Sequence, residues 1–430
     1  MSTTNRGRLF VASCVALIVT AMSFAIRGDI MGALEVEFSL TKEQLGTIAS
    51  TAFWGFTLAM VIGGPLCDVL GMQRLVWFAF AGHLAGILIT IFADGFWMLF
   101  AGTLSIGIAN GFVEAACNPL IATVYPEEKT KKLNHFHVWF PGGIVIGGLG
   151  CFALSQLDMS WQWKMGLMLV PLAGYAAMFL GQAFPVTERV ASGVSMGRMF
   201  RECLRPLFIV MILSMLLTAS TELGPGQWIP NILTFTAGVS GILVLCWING
   251  LMAVGRGLAG PIVHKLSPPG VLLVSAVLAG GGLFLLSLAN SPATAFGAAT
   301  VFAVGVCYFW PTMLGFVAER LPKTGALGLS AMGGAGMLAV SLTLPVMGAV
   351  YDKNTGAAIA EPYTIEQLRQ SAPGTPEGAA WAEAQAAGGA ETLKYVAALP
   401  VVLVVVFGAI YLRDRAAGGY KAERLGPVEG

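Results

Sequence analysis

Residues 9–36 read LFVASCVALIVTAMSFAIRGDIMGALEV, and the first charged side chain in this stretch is Arg27. About 20 consecutive apolar residues are long enough to cross the hydrocarbon core of a bilayer as a helix. An open sheet edge has no hydrogen-bond partners in lipid, so an isolated span must be helical. The stretch therefore predicts a membrane-spanning helix at the beginning of the sequence.

Eleven further apolar stretches follow the first one. The chain of 430 residues is 56% hydrophobic and 11% charged, whereas an ordinary soluble domain has about 25% charged residues. This composition excludes a soluble enzyme, a disordered protein and a secreted disulfide scaffold, because most of a soluble surface must be wetted. We predict an all-α membrane protein with twelve transmembrane helices, whose other spans cover residues 45–67, 74–93, 96–123, 135–157, 164–184, 206–233, 240–263, 270–289, 293–317, 325–350 and 394–412.

The charges predict the orientation of these spans. The 24 basic residues nearly balance the 23 acidic ones, so no nucleic-acid partner is expected. Placing both termini in the cytoplasm puts 17 basic residues on the inner side and five on the outer side, as the positive-inside rule requires. We therefore predict a monomeric, multi-pass protein of the cell inner membrane, with both termini cytoplasmic and the lipid bilayer as a partner.

The sequence also repeats itself weakly. Gly64-Pro65-Leu66 recurs as Gly260-Pro261-Ile262, 196 residues later, and Asp29 corresponds to Glu222, 193 residues later. Two parallel repeats imply a site between them near the bilayer midplane, opened to each side by rocking. We predict two pseudo-symmetric six-helix bundles at 1–184 and 206–430, joined by a cytoplasmic linker at 185–205. A long outer loop is expected at 351–393, with an interfacial helix or an outer lid as alternatives.

An acidic residue lies deep in the fourth predicted span. Asn110, Glu114 and Asn118 are spaced i, i+4 and i+8, so they form one polar stripe on an otherwise apolar helix. An ionisable group near the bilayer centre is costly and is therefore usually functional. Because burial favours the neutral carboxyl, Glu114 is suited to hold and release a proton. The alternative is a permanently protonated carboxyl that only joins two helices.

Two opposite charges lie close together in the first span. Arg27 and Asp29 are two residues apart, which puts their side chains on different faces of a helix. We expect one or both to face a central cavity and bind solute. The alternative places both near the outer interface, where Arg27 extends its charge toward water.

The seventh span contains a third acid followed by a helix breaker. Glu222 precedes Gly224-Pro225-Gly226, which is tolerated in a span where backbone lines a cavity. Gln227, Trp228 and Asn231 add amide and indole groups, and this combination suits a sugar with apolar ring faces and many hydroxyls. The alternative is an interfacial tryptophan and a loop glutamate.

Histidines supply the remaining polar candidates. His137, in the fifth span, is a candidate ligand donor or proton shuttle, although an interfacial histidine would look the same. No metal-ligand spacing accompanies the histidines or the cysteines, so we predict no metal site.

These residues carry a resemblance to a known family. The segment Gly64-x-Leu66-x-Asp68-x-x-Gly71-x-x-Arg74 resembles the loop signature of the major facilitator superfamily. Within that superfamily the chain is similar to the fucose:proton symporter group of sugar transporters, most specifically in Glu114-Ala115-Ala116-Cys117-Asn118-Pro119. Other matching pieces are Asp29-Ile30-Met31, Leu133-Asn134, Glu222 with Gly226-x-Trp228, Gly255-Arg256, Pro311-Thr312, and Pro345-Val346-Met347-Gly348 with Asp352.

The resemblance implies proton-coupled import of a monosaccharide or a related small polar solute by alternating access. In that group the acids of helices 1 and 4 serve sugar binding and proton coupling, which implies those roles for Asp29 and Glu114. The resemblance implies no cofactor beyond the co-transported proton. Sodium is the alternative coupling ion. The chain departs from the group at Arg27, and at His137 and Phe140 where the fucose symporter has amides, so an acidic sugar or another anion is an alternative.

Charged residues at the predicted inner ends suggest a gate. Asp68 and Arg74 are expected to lock the cytoplasmic side when the outer side is open. Arg256 with Glu319 is expected to supply the counterpart in the second half, while simple anchoring of loops is the alternative reading.

Two rival functions remain on the same sequence. One is an exporter or exchanger of organic anions or drugs with the same fold, and the other is a sensor that binds sugar without transporting it. An enzyme is not expected, because the sequence shows no nucleophile–base pair, metal motif or phosphate loop.

Overall fold

The computed structural model describes residues 5–423 apart from 39, 41, 240, 370, 372 and 373. Its regular elements in that part of the chain are all helices. Ten helical segments there are long and apolar enough to cross a membrane. The predicted all-α membrane fold is therefore confirmed.

The helices follow the predicted spans closely. The first half contains α1 (Arg6–Glu37), α2 (Lys42–Leu70), α3 (Met72–Ile91), α4 (Phe96–Val124), α5 (Lys129–His137), α6 (Trp139–Gln156), α7 (Trp161–Gly166) and α8 (Leu169–Phe179). The predicted linker carries α9 (Glu188–Ala191) and α10 (Met196–Glu202). The second half contains α11 (Pro206–Ala237), α12 (Gly241–Gly257), α13 (Ala259–Ser287), α14 (Pro292–Val306), α15 (Phe309–Arg320), α16 (Gly325–Ala357), α17 (Ile365–Arg369), α18 (Pro376–Ala397) and α19 (Leu399–Ala416). The domain boundaries at 184 and 206 stay predictions.

The boundary between the eighth and ninth predicted spans lies where the prediction places it, between residues 263 and 270. The eighth span corresponds to α12 together with the beginning of α13, and the chain turns inside α13 at Ser267, whose φ is +60°. Pro268 and Pro269 follow directly, and neither has a backbone N–H to continue a helix. The proline pair therefore marks the boundary between the two spans.

The outer connection at 351–393 is mostly helical, so the expected long loop is wrong over much of its length. Helix α16 continues to Ala357, and α18 covers Pro376–Ala397. Gly388 and Gly389 bring α18 into close contact with its neighbours, since a Cβ on Gly388 would lie 2.3 Å from Oγ1 of Thr355 in α16. Small residues permit such close approach of helices, so this segment packs against the bundle.

The two ends of the bundle differ in how the halves are joined. We call the end where α1 begins and α4 and α15 end the inner end, and the opposite end the outer end. Within the described residues, the hydrogen bonds that join 5–184 to 206–423 lie at the inner end or at the centre. Helix α2 packs along α16, and α5 packs against α15. The structure is therefore closed at the inner end.

We expect Gly305→Ala to destabilise the second half. A Cβ at Gly305 would lie 2.3 Å from the backbone nitrogen of Ala279, where α14 meets α13. Overpacking of this kind costs about 1–3 kcal/mol, so the melting temperature in detergent should fall by several degrees. Gly297→Ala, on an open face of the same helix, is the matched control and should melt like the unsubstituted protein. Equal melting temperatures for both variants would contradict the close approach.

Candidate functional site

Three polar side chains from α4 and α5 meet in the centre of the protein. Glu114 and His137 are each 2% exposed. Asn118 donates from Nδ2 to Oε2 of Glu114 at 2.5 Å, and its Oδ1 lies 3.1 Å from Nε2 of His137. Because the amide nitrogen already donates to Glu114, the amide oxygen accepts and His137 donates from Nε2. The chain of hydrogen bonds therefore points toward the Glu114 carboxyl, whose Oε2 is 3.8 Å from His137 Nε2.

An ion pair in the second half adjoins this group. Arg256 in α12 donates from Nη2 to Oε1 of Glu222 in α11 at 2.8 Å, and the two side chains are 1% and 6% exposed. Arg256 also donates from Nε to the carbonyl of Cys307 at 2.6 Å and from Nη1 to the carbonyl of His137 at 3.0 Å. The last bond crosses between the halves. Arg256 thus connects Glu222 to the helix that carries His137.

We call Glu114, Asn118, His137, Glu222 and Arg256 the central cluster. It brings together five of the residues singled out in the sequence. Isolated charges are not tolerated in an apolar interior, whereas paired and hydrogen-bonded ones are. The cluster therefore holds a titratable carboxyl and a compensated ion pair at the contact between the two halves.

Glu222 and Trp228 of α11 each have a buried polar atom without a hydrogen-bond partner within the described residues. These atoms are Oε2 of Glu222 and Nε1 of Trp228. The Trp228 ring packs edge-on against Tyr351 at 5.9 Å between centroids. Buried polar atoms are normally hydrogen-bonded, so these two are available to water or to a bound solute.

The predicted stripe on α4 divides into two networks. Asn110 does not join Glu114. It accepts from Nε2 of His83 at 2.8 Å and donates to the hydroxyl of Ser23 at 3.0 Å, while Nδ1 of His83 lies 3.2 Å from the hydroxyl of Tyr175. This network lies wholly inside the first half, so Asn110 is held in the packing between α1, α3 and α4.

The two charges of α1 lie outside the central cluster. Asp29 is 37% exposed at the outer end and pairs with Lys164 at 2.6 Å. Lys164 thus holds Asp29 at the outer rim in this structure, and the expectation that Arg27, Asp29 or both face a central cavity and bind solute stays a prediction. The Arg27 guanidinium lies over the rings of Phe24 and Phe53, at 5.0 and 5.7 Å from their centroids. The side chains of Gln227 and Asn231 lie outside the described residues.

Asp68 takes part in the inner-end contacts, but with a different partner from the one predicted. Its carboxylate accepts from Nε of Arg189 at 2.7 Å and from the hydroxyl of Thr187 at 2.5 Å. Arg74 is exposed and makes no ion pair in the part of the chain that the structure describes. Arg189 also packs against Gly325, whose φ is +58° and where a Cβ would lie 2.9 Å from Cδ of Arg189. The linker thus connects α2 to the beginning of α16.

Glu319 also lies at the inner end, and its predicted pairing with Arg256 is wrong. Its Oε1 accepts from the backbone N–H and the hydroxyl of Thr130 at 3.1 and 2.7 Å. Its Oε2 accepts from the hydroxyl of Tyr420 at 2.8 Å. Burial and the neighbouring Glu319 raise the pKa of the Tyr420 phenol well above its usual range, so Tyr420 remains a donor at neutral pH.

Lysines complete the inner end. Lys129 pairs with Glu188 of the linker at 2.6 Å and donates to the carbonyl of Ala318 at 3.3 Å. Lys131 donates to Glu128 at 2.6 Å and thereby holds the pKa of that carboxyl below its usual range. Opening of the inner end requires the contacts of Lys129 with α15 to break.

Several of these residues have no role that the sequence predicts. Arg189 and Glu188 lie within the predicted linker at 185–205, and Lys129 and Lys164 counted only among the basic residues that predict the orientation. Asn134 and Thr312 appeared only in the family resemblance, yet Asn134 donates to Thr312 across the halves at 3.2 Å. The partners of these residues are far away in the chain, so local sequence patterns do not reveal the contacts. Only the family resemblance, which includes Asn134 and Thr312, indicated that any of these residues matter. Within the described residues, no group of three possible ligands lies close enough to hold a metal ion.

We expect Asp68→Asn to loosen the inner end. The substitution removes the charged partner of buried Arg189, and each 1.4 kcal/mol lost changes an equilibrium about tenfold. A maleimide should therefore label Ser330→Cys, a buried position in α16, at least about tenfold faster when Asp68→Asn is also present. Cys203→Ser and Cys246→Ser remove the partly exposed cysteines from the background. Asp94→Asn, the same chemical change in the exposed turn before α4, is the control, and equal labelling in both variants would contradict a gating role.

The apolar helices and the buried charges at the contact of the halves are typical of membrane transport proteins. The chain matches the model of the Major Facilitator Superfamily over residues 9–353, and it belongs to that family. The chain therefore belongs to a family of transporters and not of enzymes.

Similar proteins include a facilitated glucose transporter and a gentisate transporter. Over 169 residues the chain is 27% identical to solute carrier family 2, facilitated glucose transporter member 10 of Xenopus tropicalis, and this match covers 38% of the chain and 30% of the relative. It is 23% identical to the gentisate transporter of Corynebacterium glutamicum over 338 residues, covering 67% of the chain and 75% of that protein. The match to the frog protein thus spans less than a third of its length.

A solved structure shares the fold. The E. coli fucose:proton symporter FucP matches with a TM-score of 0.67 over 91% of this chain and 98% of that one, at 15% sequence identity. This likeness agrees with the predicted resemblance to the fucose:proton symporter group in the arrangement of helices.

Proposed function

We propose that the chain is a secondary transporter that imports a monosaccharide or a related small polar solute together with a proton. The observation that carries this proposal is the position of Glu114, a buried carboxyl with hydrogen-bonding partners at the contact between the halves. A carboxyl in that place can lose its proton to one side in one conformation and regain it in the other. Both termini are cytoplasmic in this proposal, so the inner end is the cytoplasmic end.

The unpartnered polar atoms support a hydroxylated solute. Glu222 has a free carboxylate oxygen and Trp228 a free indole N–H in the described structure. A sugar supplies hydroxyls that both donate and accept, and apolar ring faces that pack on aromatic rings. The sugar transporter among the relatives and the fucose:proton symporter among the structural neighbours agree with this class.

An organic-anion exporter or exchanger is the second candidate. The gentisate transporter resembles a longer part of the chain than the glucose transporter does, and Arg27 places a cation in α1. Export differs from import in the direction in which a proton gradient moves the solute.

Transport into proteoliposomes tests the proposal. Purified protein is given a panel of labelled monosaccharides and sugar acids with an inward proton gradient, an inward sodium gradient or none. We expect saturable accumulation with the proton gradient only. Accumulation driven by sodium alone, extrusion, or binding without flux would each contradict the proposed coupled import, and binding without flux would favour a sensor.

A further inference from the structure

Among the described residues, Arg27 is a cation without an acidic partner. It lies in α1, partly buried, and its guanidinium faces the rings of Phe24 and Phe53. The acid nearest in sequence, Asp29, is held by Lys164. Within the described residues, no carboxylate or carbonyl oxygen accepts a hydrogen bond from Arg27, in contrast to Arg256, which has three such acceptors.

The N–H donors of Arg27 are open to water or to a bound anion, because the side chain is only partly buried. A guanidinium has five N–H donors in a fixed fork, and its removal from water is costly unless these donors are satisfied. The two aromatic rings attract the cation through their faces, but they accept none of the in-plane donors. An unpaired cation within a membrane-spanning helix is by default a functional group.

A small cavity lies beside Arg27. It has a volume of about 30 Å³ and is bounded by helices α1 to α4 and α7. The hydroxyls of Ser23, Thr90 and Thr103 contribute polar atoms to a mainly apolar lining. Thr103 makes no hydrogen bond in the part of the chain that is described, whereas Thr90 donates to the carbonyl of Gly86. This volume exceeds the roughly 10–15 Å³ that one buried water needs, so the cavity suits a small charged group and not a whole sugar ring.

We propose that Arg27 receives the carboxylate of the transported solute, and that the solute is therefore a small hydroxylated monocarboxylate, such as an aldonic or uronic acid. The inference rests on the proposed function and names the solute class. A carboxylate matches the guanidinium fork with two parallel hydrogen bonds. The hydroxyls follow from the proposed function, in which the unpartnered oxygen of Glu222 and the indole N–H of Trp228 bind a hydroxylated solute.

Charge balance supports a monocarboxylate. The inside of the cell is negative, so the membrane potential opposes the entry of an anion. One proton carried on Glu114 cancels one carboxylate, so the combined step moves no net charge. Import of the acid is then driven by the pH difference alone, whereas a neutral sugar with one proton would also respond to the potential.

Paired labelled solutes test the inference in proteoliposomes. D-gluconate and D-glucuronate are compared with D-glucose and L-fucose under an inward proton gradient, with and without a potassium–valinomycin potential. We expect saturable uptake of an acid that does not respond to the potential, and no competition by the neutral sugars. Arg27→Gln should raise KM for the acid roughly 100-fold, since truncation of a charge pair commonly has an effect of this size. The KM of Arg27→Lys should lie between those of the unsubstituted protein and of Arg27→Gln, because lysine keeps the charge but lacks the planar fork of donors.

The controls separate failure of the inference from failure of the proposed function. Arg198→Gln, an exposed arginine of the linker, should leave KM unchanged, and melting curves in detergent verify that the Arg27 variants are folded. Proton-driven uptake of a neutral sugar that Arg27→Gln does not affect would overturn the inference and leave the proposed function standing. If chloride raises the melting temperature only when Arg27 is present, and carboxylates do not raise it, the inference is overturned in favour of an inorganic anion. No proton-driven uptake of either class would defeat the proposed function itself.

Discussion

We expect Glu114→Gln to abolish uphill accumulation while solute exchange continues. A pH difference of one unit supplies about 1.4 kcal/mol per proton, which supports an accumulation of about tenfold for a one-proton carrier. Glutamine has the shape of a protonated glutamic acid and cannot release a proton. The variant should therefore reach an accumulation ratio of about 1, whatever pH difference is imposed.

The physical reason lies in the surroundings of Glu114. The carboxyl is 2% exposed, and its partners Asn118 and His137 belong to the same half of the protein. Glutamine keeps a hydrogen bond with Asn118 after rotation of its amide, so the local packing is preserved. The substitution thus removes the titration and leaves the binding surface in place.

Counterflow measurements distinguish a coupling defect from a folding defect. Exchange of external labelled solute for internal unlabelled solute should persist in Glu114→Gln and should lose its dependence on pH. Glu377→Gln, an exposed glutamate in the first turn of α18, makes the same chemical change and should accumulate solute normally. Uphill accumulation by Glu114→Gln would exclude Glu114 as the coupling group.

The architecture was predictable because it depends on local properties of the sequence. Long apolar runs define the spans, and the proline pair at Pro268 and Pro269 divides two of them. The helical nature of 376–397 was harder to predict, because alanine and glycine residues there lack the hydrophobicity of a span. That helix is stabilised by close contacts such as Gly388 with Thr355, which no local pattern reveals.

The central cluster was predictable as a set of residues but not as a set of pairs. Glu114, His137, Glu222 and Arg256 are each unusual within an apolar span, so each is visible in the sequence. Their pairing depends on contacts between helices. Arg256 was expected near Glu319 and instead pairs with Glu222. The local sequence thus predicts the sign of a charge and its depth in the membrane, whereas its partner depends on how the helices pack.

The inner end shows the same limit more strongly. Asp68 stands out in a family signature, but its partner Arg189 lies in a linker with several other basic residues. Asp29 resembles a buried functional acid in sequence, yet Lys164, 135 residues away, holds it at the outer rim. A charge near the end of a span is classified correctly only when the neighbouring helix is known.

Arg256→Met is expected to destabilise the protein and to stop transport. The substitution removes hydrogen bonds to Glu222 and to the carbonyls of His137 and Cys307. It also leaves the Glu222 carboxylate buried without its cation, and breaking a buried pair in this way costs about 3–5 kcal/mol. The melting temperature in detergent should fall by roughly 5 °C or more, and uptake should be lost because the halves lose a contact at the centre.

The double variant Arg256→Met with Glu222→Gln separates stability from function. It removes both charges, so the penalty of an unpaired carboxylate disappears and the melting temperature should recover most of the loss. Transport should stay absent, since the bond from Arg256 to the carbonyl of His137 joins the second half to the helix next to Glu114. Arg198→Met, on the exposed linker, controls for the loss of an arginine and should behave as the unsubstituted protein does. Recovery of both stability and uptake in the double variant would show that the pair serves packing alone, and that the two halves exchange positions without Arg256.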